Sequence, residues 1–264
     1  MGSVAIIGAG PGAADLITLR GARLLAQAEV VLFDALADPA LKALAPQARW
    51  IHVGKRGYAD STGQATINAL LVAHARRVDR VVRLKGGDPS VFGRLEEELE
   101  ALAAAGIECE IVPGVTAALA AAAHSQRPLT RRGSGRSVTL ATAMTREGAV
   151  QGQLTRRADT EVFYMAGKQL AALARRLLRD GWAADAPCSV VSRAGWPDAL
   201  HSEHAVAQLA QAALLHAGRP TVVTVGAGAL ALKSAPPASP PPLRASSSAA
   251  GMPGRRPHPT ESLS

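Results

Sequence analysis

The chain has 264 residues, 48% of them hydrophobic but only 3% aromatic, with a formal net charge of +8 and a pI near 10.3. So few aromatic residues disfavour a nucleic-acid surface that stacks bases on exposed rings. The basic excess suits a polyanionic ligand, although a solvated basic surface would give the same charge.

Targeting, metal and membrane signals are absent from the sequence pattern. Cys109 and Cys188 lie in apolar segments without zinc-ligand spacing, and MGSVAIIGAG lacks the basic start of a signal peptide. No apolar run reaches the roughly 20 residues that a membrane span needs. We therefore expect a cytoplasmic protein with no metal, no membrane partner and no nucleic-acid partner.

Short apolar runs alternate with Ala- and Leu-rich runs in the first part of the chain. The strand predictions are 4–8, 30–34, 50–53, 81–84 and 109–112, and the helix predictions are 18–28, 39–44, 64–76 and 95–105. Thr18 can cap the first helix, and Gly106 can end the last. This order predicts a mainly parallel sheet with helices on both faces.

A second series of elements follows Pro113. We predict a helix at 116–124, a linker at 125–136, strands at 137–142, 161–165, 188–192 and 221–225, and helices at 169–180 and 203–216. The chain is thus predicted to form two α/β domains, residues 1–114 and 115–232. A disordered Pro- and Ser-rich tail is predicted at 233–264.

The opening glycine turn has two interpretations. VAIIGAGPGA fits the dinucleotide pattern G-x-G-x-x-[G/A], with Asp34 as a ribose ligand further on. However, the best helix cap is Thr18, which lies too far beyond the turn to aim the helix at a phosphate, and Pro11 removes an N–H group. The motif alone leaves open a nicotinamide-dependent oxidoreductase or a loop that admits a ligand close to the backbone.

Three further glycine-containing loops follow predicted strands. RLKGGDPSVFGR carries Gly86, Gly87 and Asp88, IVPGVTAALAAAA carries Thr116, and TEVFYMAGKQL carries Met165. Each alone is explained by an ordinary strand-to-helix turn. Together, at strand ends from both predicted domains, they indicate a ligand in the crevice between the domains.

Taken in order, these blocks resemble the tetrapyrrole methylase family. The resemblance rests on VAIIGAGPG, VVLFDAL, VGKRG, VVRLKGGDPSVFGR, AGIECEIVPGVTAALAAAA, PLTRR and VFYMAG, from about residue 4 to 225, with RLKGGDP the most specific. It implies two α/β domains with S-adenosylmethionine in the cleft between them. The matching donor-binding positions are Pro11, Gly86, Gly87, Asp88, Val91, Thr116, Ala117, Met165 and Ala194.

The resemblance also implies a reaction and a homodimer. The reaction is two successive methyl transfers to ring carbons of uroporphyrinogen III, giving precorrin-2 for sirohaem or cobalamin synthesis. Asp34 matches the candidate base and Lys55 the candidate proton donor, while a structural cap and a surface lysine are the alternatives. Because the substrate is a polycarboxylate, we expect arginines near the matched loops to bind it. These are Arg56, Arg94, Arg131 and Arg132.

Three short blocks depart from the family pattern. The chain reads GRLEEE where the family usually has GRGGEE, PLTRR where it has PLTHR, and TAM where it often has TGH. These positions leave open whether one or two methyl groups are transferred, and whether the substrate is a later precorrin. The oxidoreductase, and an RNA- or DNA-binding module, remain the alternatives from other classes.

Overall fold

A computed structural model describes residues 2–54, 63–144 and 158–232 of the chain. The strands of the first sheet are β1 (Ser3–Gly8), β2 (Val30–Phe33), β3 (Arg49–His52), β4 (Arg80–Lys85) and β5 (Cys109–Val112). Their spatial order is β3-β2-β4-β1-β5, and every pair is parallel. The chain therefore returns over the sheet after each strand, and the loops after the strands share one edge.

Helices cover both faces of this parallel sheet. They are α1 (Leu19–Ala26), α2 (Gln64–Ala75) and α3 (Leu95–Ala104), with a 3-10 turn at Pro39–Leu44. Successive residues of β1 point to opposite faces, so Ile6 packs in the cluster beneath α2 and α3, and Ile7 packs in the cluster with Leu25 and Leu41. The predicted α/β class is confirmed, and strands buried on both faces explain the continuous apolar runs.

The second sheet is mixed. Its strands are β6 (Val138–Thr142), β7 (Thr160–Tyr164), β8 (Pro187–Ser192), β9 (Leu200–Ala205) and β10 (Thr221–Gly226), in the order β6-β7-β10-β8-β9. Only β6 and β7 are parallel, and the other pairs are antiparallel. α4 (Ala117–His124) packs on one face, while α5 (Leu170–Arg179) packs on the other with the 3-10 run Val206–Ala212.

The predicted helix at 203–216 is partly wrong, because the span is helical only from Val206 onward, and as a 3-10 helix up to Ala212. Its first residues belong to β9, which pairs with β8 in the register Ser189–Glu203 and Val191–His201. Only the four residues of α6 (Ala213–His216) are α-helical. The local Ala- and Leu-rich composition favours a helix, but pairing with the otherwise open edge of β8 satisfies a row of backbone N–H and C=O groups.

The two sheets are built from residues on either side of the predicted boundary at 114/115. The division into domains 1–114 and 115–232 nevertheless stays a prediction. The predicted tail at 233–264 lies outside the described residues.

Candidate functional site: a cavity between the sheets

A cavity of about 320 Å³ is lined by loops from both sheets. From the first sheet come the loops that follow β1, β2, β4 and β5, and from the second come the ends of β7 and β8 and the start of β10. This size is at the lower end of ordinary small-molecule sites, and the position at the carboxyl edge of a parallel sheet is the usual one.

Eleven of the residues singled out in the sequence line this one cavity. They are Pro11, Asp34, Gly86, Gly87, Asp88, Val91, Arg94, Thr116, Ala117, Met165 and Ala194. Arg131 and Arg132 do not line it, and the Arg131 guanidinium donates a hydrogen bond to the carbonyl of Leu230. Lys55 and Arg56 lie outside the described residues. The roles of all these residues stay predictions.

The glycines of the first turn let three loops meet. The N–H of Gly87 donates to the carbonyl of Gly10 at 2.6 Å, and the reverse bond is 3.3 Å long. A Cβ on Gly8 would lie 2.6 Å from the Cα of Gly114, so no side chain fits there. α1 begins well after this turn, where the Thr18 hydroxyl accepts from the N–H of Gly21 at 3.1 Å. The turn therefore serves loop packing, unlike a pyrophosphate-binding turn that opens directly into a helix.

The two glycines of the GGD loop face different surroundings. A Cβ on Gly86 would lie 2.5 Å from the Cβ of Leu36, so this glycine is required by packing. Gly87 has φ +71°, and a Cβ on it would have only the Cα of Thr116, at 4.0 Å, as a neighbour within 4 Å. The backbone at Gly87 is thus open on the cavity side, where a ligand can approach it closely.

Asp34 follows β2 at the edge of the cavity. Its Oδ1 accepts from the N–H groups of Leu36 at 3.3 Å and Gly86 at 3.2 Å, and its Oδ2 lies 3.7 Å from a guanidinium nitrogen of Arg83. The carboxylate is about three-quarters buried. Oδ1 is therefore fixed by two backbone donors, while Oδ2, which the N–H of Gly86 also approaches at 3.4 Å, keeps a lone pair for a ligand.

A buried ionic cluster lies behind Asp34. Glu98, fully buried on α3, accepts from Arg83 at 3.0 Å and from Lys85 at 2.9 Å. Gln64 on α2 reaches the same carboxylate at 3.3 Å. Burial, and then the charge of Arg83, lower the pKa of Lys85, against the opposing effect of Glu98. This cluster was not predicted from the sequence. Its signal is the pair of cations, two residues apart, on the buried strand β4, because such charges need a buried partner.

Asp88 and Thr116 make bonds within the protein. Asp88 accepts from the N–H of Ser90 at 2.8 Å and from the N–H of Gly114 at 2.9 Å, which ties the GGD loop to the loop after β5. The Thr116 hydroxyl is 2.8 Å from the hydroxyl of Tyr164, and burial raises the pKa of that phenol. Only the remaining lone pairs of these groups are left for a ligand.

The cavity wall contains strained backbone. Five non-glycine residues among those described have positive φ, and four of them line the cavity: Phe92 at +55°, Arg94 at +54°, Met165 at +57° and Arg193 at +52°. Such conformations cost on the order of 1–3 kcal/mol each and persist where the surroundings fix them, commonly at functional sites. The strain independently marks this cavity as the candidate site.

Comparison with known proteins gives the family. The sequence model of the tetrapyrrole (corrin/porphyrin) methylases matches residues 3–210, so the chain belongs to that family. The opening glycine turn is accordingly that of a methylase, and the oxidoreductase alternative is not supported.

Two curated relatives and one solved structure illustrate how similar this chain is to known members of the family. Uroporphyrinogen-III C-methyltransferase of Pseudomonas aeruginosa is 46% identical over 195 residues, which is 73% of this chain and 80% of that protein. Siroheme synthase 1 of Serratia proteamaculans is 43% identical over 229 residues, but this chain spans only 48% of its length. The crystal structure of uroporphyrin-III C-methyl transferase from Thermus thermophilus complexed with S-adenyl homocysteine has a TM-score of 0.75 at 37% identity, covering 85% of this chain and 97% of that one.

The described residues contain neither a candidate membrane span nor a candidate metal-binding cluster. None of the described helices is long and apolar enough to cross a membrane. Within the same part of the chain, no group of three or more His, Cys, Asp or Glu side chains is arranged to hold a metal ion.

Proposed function

We propose that this chain is an S-adenosylmethionine-dependent C-methyltransferase that converts uroporphyrinogen III to precorrin-2 by two successive methyl transfers, for sirohaem or cobalamin synthesis. The observation that carries the proposal is the convergence of eleven sequence-predicted residues on one cavity. It is supported by the names of the relatives, one of which is a C-methyltransferase and another a siroheme synthase.

The residues of the cavity fit the proposed methyl donor. The adenine ring of the donor is flat and polar at its edges, and the open face at Gly87 admits a flat group against bare backbone. Val91 and Ala117 supply apolar wall, and Thr116, next to Ala117, and Met165, after β7, also line the cavity. Bound S-adenosylmethionine supplies an electrophilic methyl group on a sulfonium. The chain's part is to hold donor and acceptor in line and to exclude water, which supplies much of the rate.

Asp34 is the proposed base. Once the ring carbon is methylated, the ring must lose a proton, and Oδ2 of Asp34 is the oxygen that keeps capacity to accept it. Lys55 is the proposed proton donor. The Arg94 side chain, paired with Glu97 at 2.7 Å, and Arg56, Arg131 and Arg132 are proposed to hold the substrate's carboxylates.

A single assay tests the proposal. Purified protein is incubated anaerobically with S-adenosylmethionine and enzymatically generated uroporphyrinogen III, and the tetrapyrrole is analysed by mass. A gain of two methyl groups supports the proposal. One methyl group supports donor binding but rejects the double transfer, and no transfer despite tight S-adenosylhomocysteine binding rejects this substrate and directs the test to later precorrins.

We also propose that the protein is a cytoplasmic homodimer, as the family resemblance implies. Light scattering coupled to gel filtration tests the assembly: a homodimer has twice the 27.1 kDa mass of the chain. A peak at the mass of one chain at micromolar concentration contradicts the dimer.

A further inference from the structure

A loop of the second sheet closes one side of the cavity. This loop, Arg193–Asp198, follows β8, and its residues Arg193, Ala194 and Trp196 line the cavity. Trp196 packs against the GPG turn of the first sheet so closely that a Cβ on Gly12 would lie 2.5 Å from its ring. The position of this loop therefore decides the shape of the proposed donor site.

Two arginines clamp the loop through one carboxylate. Asp198 accepts from Nε of Arg193 at 2.8 Å and from a terminal nitrogen of Arg219 at 3.2 Å, and its carbonyl also accepts from Arg219. The Arg193 guanidinium lies over the Trp196 ring, 4.5 Å from its centroid. The clamp is half-exposed, so its geometry depends on what holds Arg219 from the inside.

The inner end of Arg219 is held by a buried serine–histidine chain. Nε of Arg219 donates to the Ser192 hydroxyl at 2.9 Å, and that hydroxyl is 2.8 Å from Nδ1 of His216. Nε2 of His216 is 2.8 Å from the hydroxyl of Ser202, which in turn is 2.8 Å from Nε2 of His204. Ser192 and His216 are both fully buried.

In this series of serines and histidines, only one assignment of donors and acceptors places every proton between neighbours in a hydrogen bond. Because Arg219 already donates to Ser192, the serine hydroxyl is free to donate to Nδ1 of a neutral His216. Nε2–H of His216 then donates to Ser202, and Ser202 donates to His204. We infer this tautomer from the network, and a buried position beside Arg219 agrees with it: burial, followed by the nearby histidines and Arg219, lowers the pKa of His216 to about 4.

We propose that His216 is a positioning residue for methyl-donor binding: through Ser192 and Arg219 it fixes the loop Arg193–Asp198 against the cavity. The inference rests on the proposed function. Without an imidazole at this place, the buried Ser192 hydroxyl loses its acceptor and Arg219 loses a fixed anchor, so the loop samples positions that no longer match the donor.

Three variants and a matched control test this role. The dissociation constant of S-adenosylhomocysteine is measured by titration calorimetry, with the melting temperature recorded in parallel. His216→Leu removes the network, Asp198→Asn weakens the clamp from the half-exposed side, and His216→Gln restores one donor and one acceptor. The control is His201→Leu, which breaks the 3.0 Å contact between His201 and Ser189. This contact lies in the same sheet but does not belong to the series of hydrogen bonds that leads to the loop.

We expect His216→Leu to weaken binding at least tenfold more than His201→Leu, His216→Gln to recover most of the loss, and Asp198→Asn to weaken binding in the same direction. Should His216→Leu fail to fold, Asp198→Asn, compared with wild type, decides the matter. A lowered melting temperature with unchanged binding in His216→Leu, or in Asp198→Asn where His216→Leu does not fold, overturns the inference and leaves the proposed function intact. Absence of binding in the wild type overturns both.

Discussion

Gly87→Ala separates ligand binding from folding. The backbone of Gly87 has φ +71°, and both of its hydrogen bonds to Gly10 involve main-chain atoms that alanine retains. The new methyl group would meet only the Cα of Thr116 at 4.0 Å, which is ordinary contact distance, and would otherwise occupy cavity space.

The expected magnitudes follow from these contacts. A non-glycine residue in the left-handed region costs roughly 1–2 kcal/mol, which in a protein of this size lowers the melting temperature by about 2–8 °C. A methyl group forced into a filled site costs a further 1–3 kcal/mol or so of binding free energy. The Kd of S-adenosylhomocysteine should therefore rise by a factor of roughly 5–150.

Gly106→Ala is the matched control. Gly106 ends α3 at φ +68° and is exposed, and a Cβ on it would meet nothing within 4 Å. Both variants should lose similar stability by thermal melting, but only Gly87→Ala should lose affinity by calorimetry. Equal affinity in the two variants would refute the assignment of the open face at Gly87 to the donor.

Three further predictions concern ionisable groups in the cavity or behind its wall. Asp34→Asn should abolish methyl transfer in the anaerobic assay while S-adenosylhomocysteine affinity, by calorimetry, stays within about twofold, because the amide cannot accept the ring proton. Glu98→Gln should destabilise the protein by about 3 kcal/mol in urea unfolding, because Arg83 and Lys85 lose their buried counter-charge. The pKa of His216 is about 4 in the folded protein against an ordinary 6.5, so between these pH values the unfolded chain binds a proton that the folded protein does not. The contribution of His216 to the free energy of unfolding is therefore fully present above pH 6.5 and is lost as the pH falls towards 4. The melting temperature of His216→Gln should vary less than that of wild type across this window.

Each of these three predictions has an outcome that would contradict it. Methyl transfer by Asp34→Asn at the wild-type rate would remove Asp34 from the role of base. Unchanged urea stability of Glu98→Gln would mean that water or another anion balances the two cations. Parallel pH profiles for wild type and His216→Gln would show that His216 does not titrate differently on unfolding.

Local sequence patterns determined the parallel sheet and the loops of the site. The strands β1 and β5 and the start of α2 lie where they were predicted. For β1 the signal is an unbroken apolar run, because a strand buried on both faces needs one, whereas β5 is an edge strand with Glu110 and Ile111 exposed. Thr18 caps α1 as predicted, since a threonine before a helical run can accept from a backbone N–H of the first turn. Glycine-containing loops at strand ends predicted the place of the cavity, and the resemblance to the tetrapyrrole methylases supplied individual lining positions such as Val91, Ala117 and Ala194.

Only the tertiary structure decided those features whose partners lie far apart in the sequence. Residues 203–205, the start of a predicted helix, belong to β9 because the edge of β8 offered backbone pairing that local propensity does not register. The buried carboxylate of Glu98 became the counter-ion of Arg83 and Lys85 only when α3 packed on β4. The contact of His216 with Ser192 likewise joins residues from separate elements. A sequence records local propensity and periodicity, but the energy of burying a polar group depends on whether folding brings a partner to it.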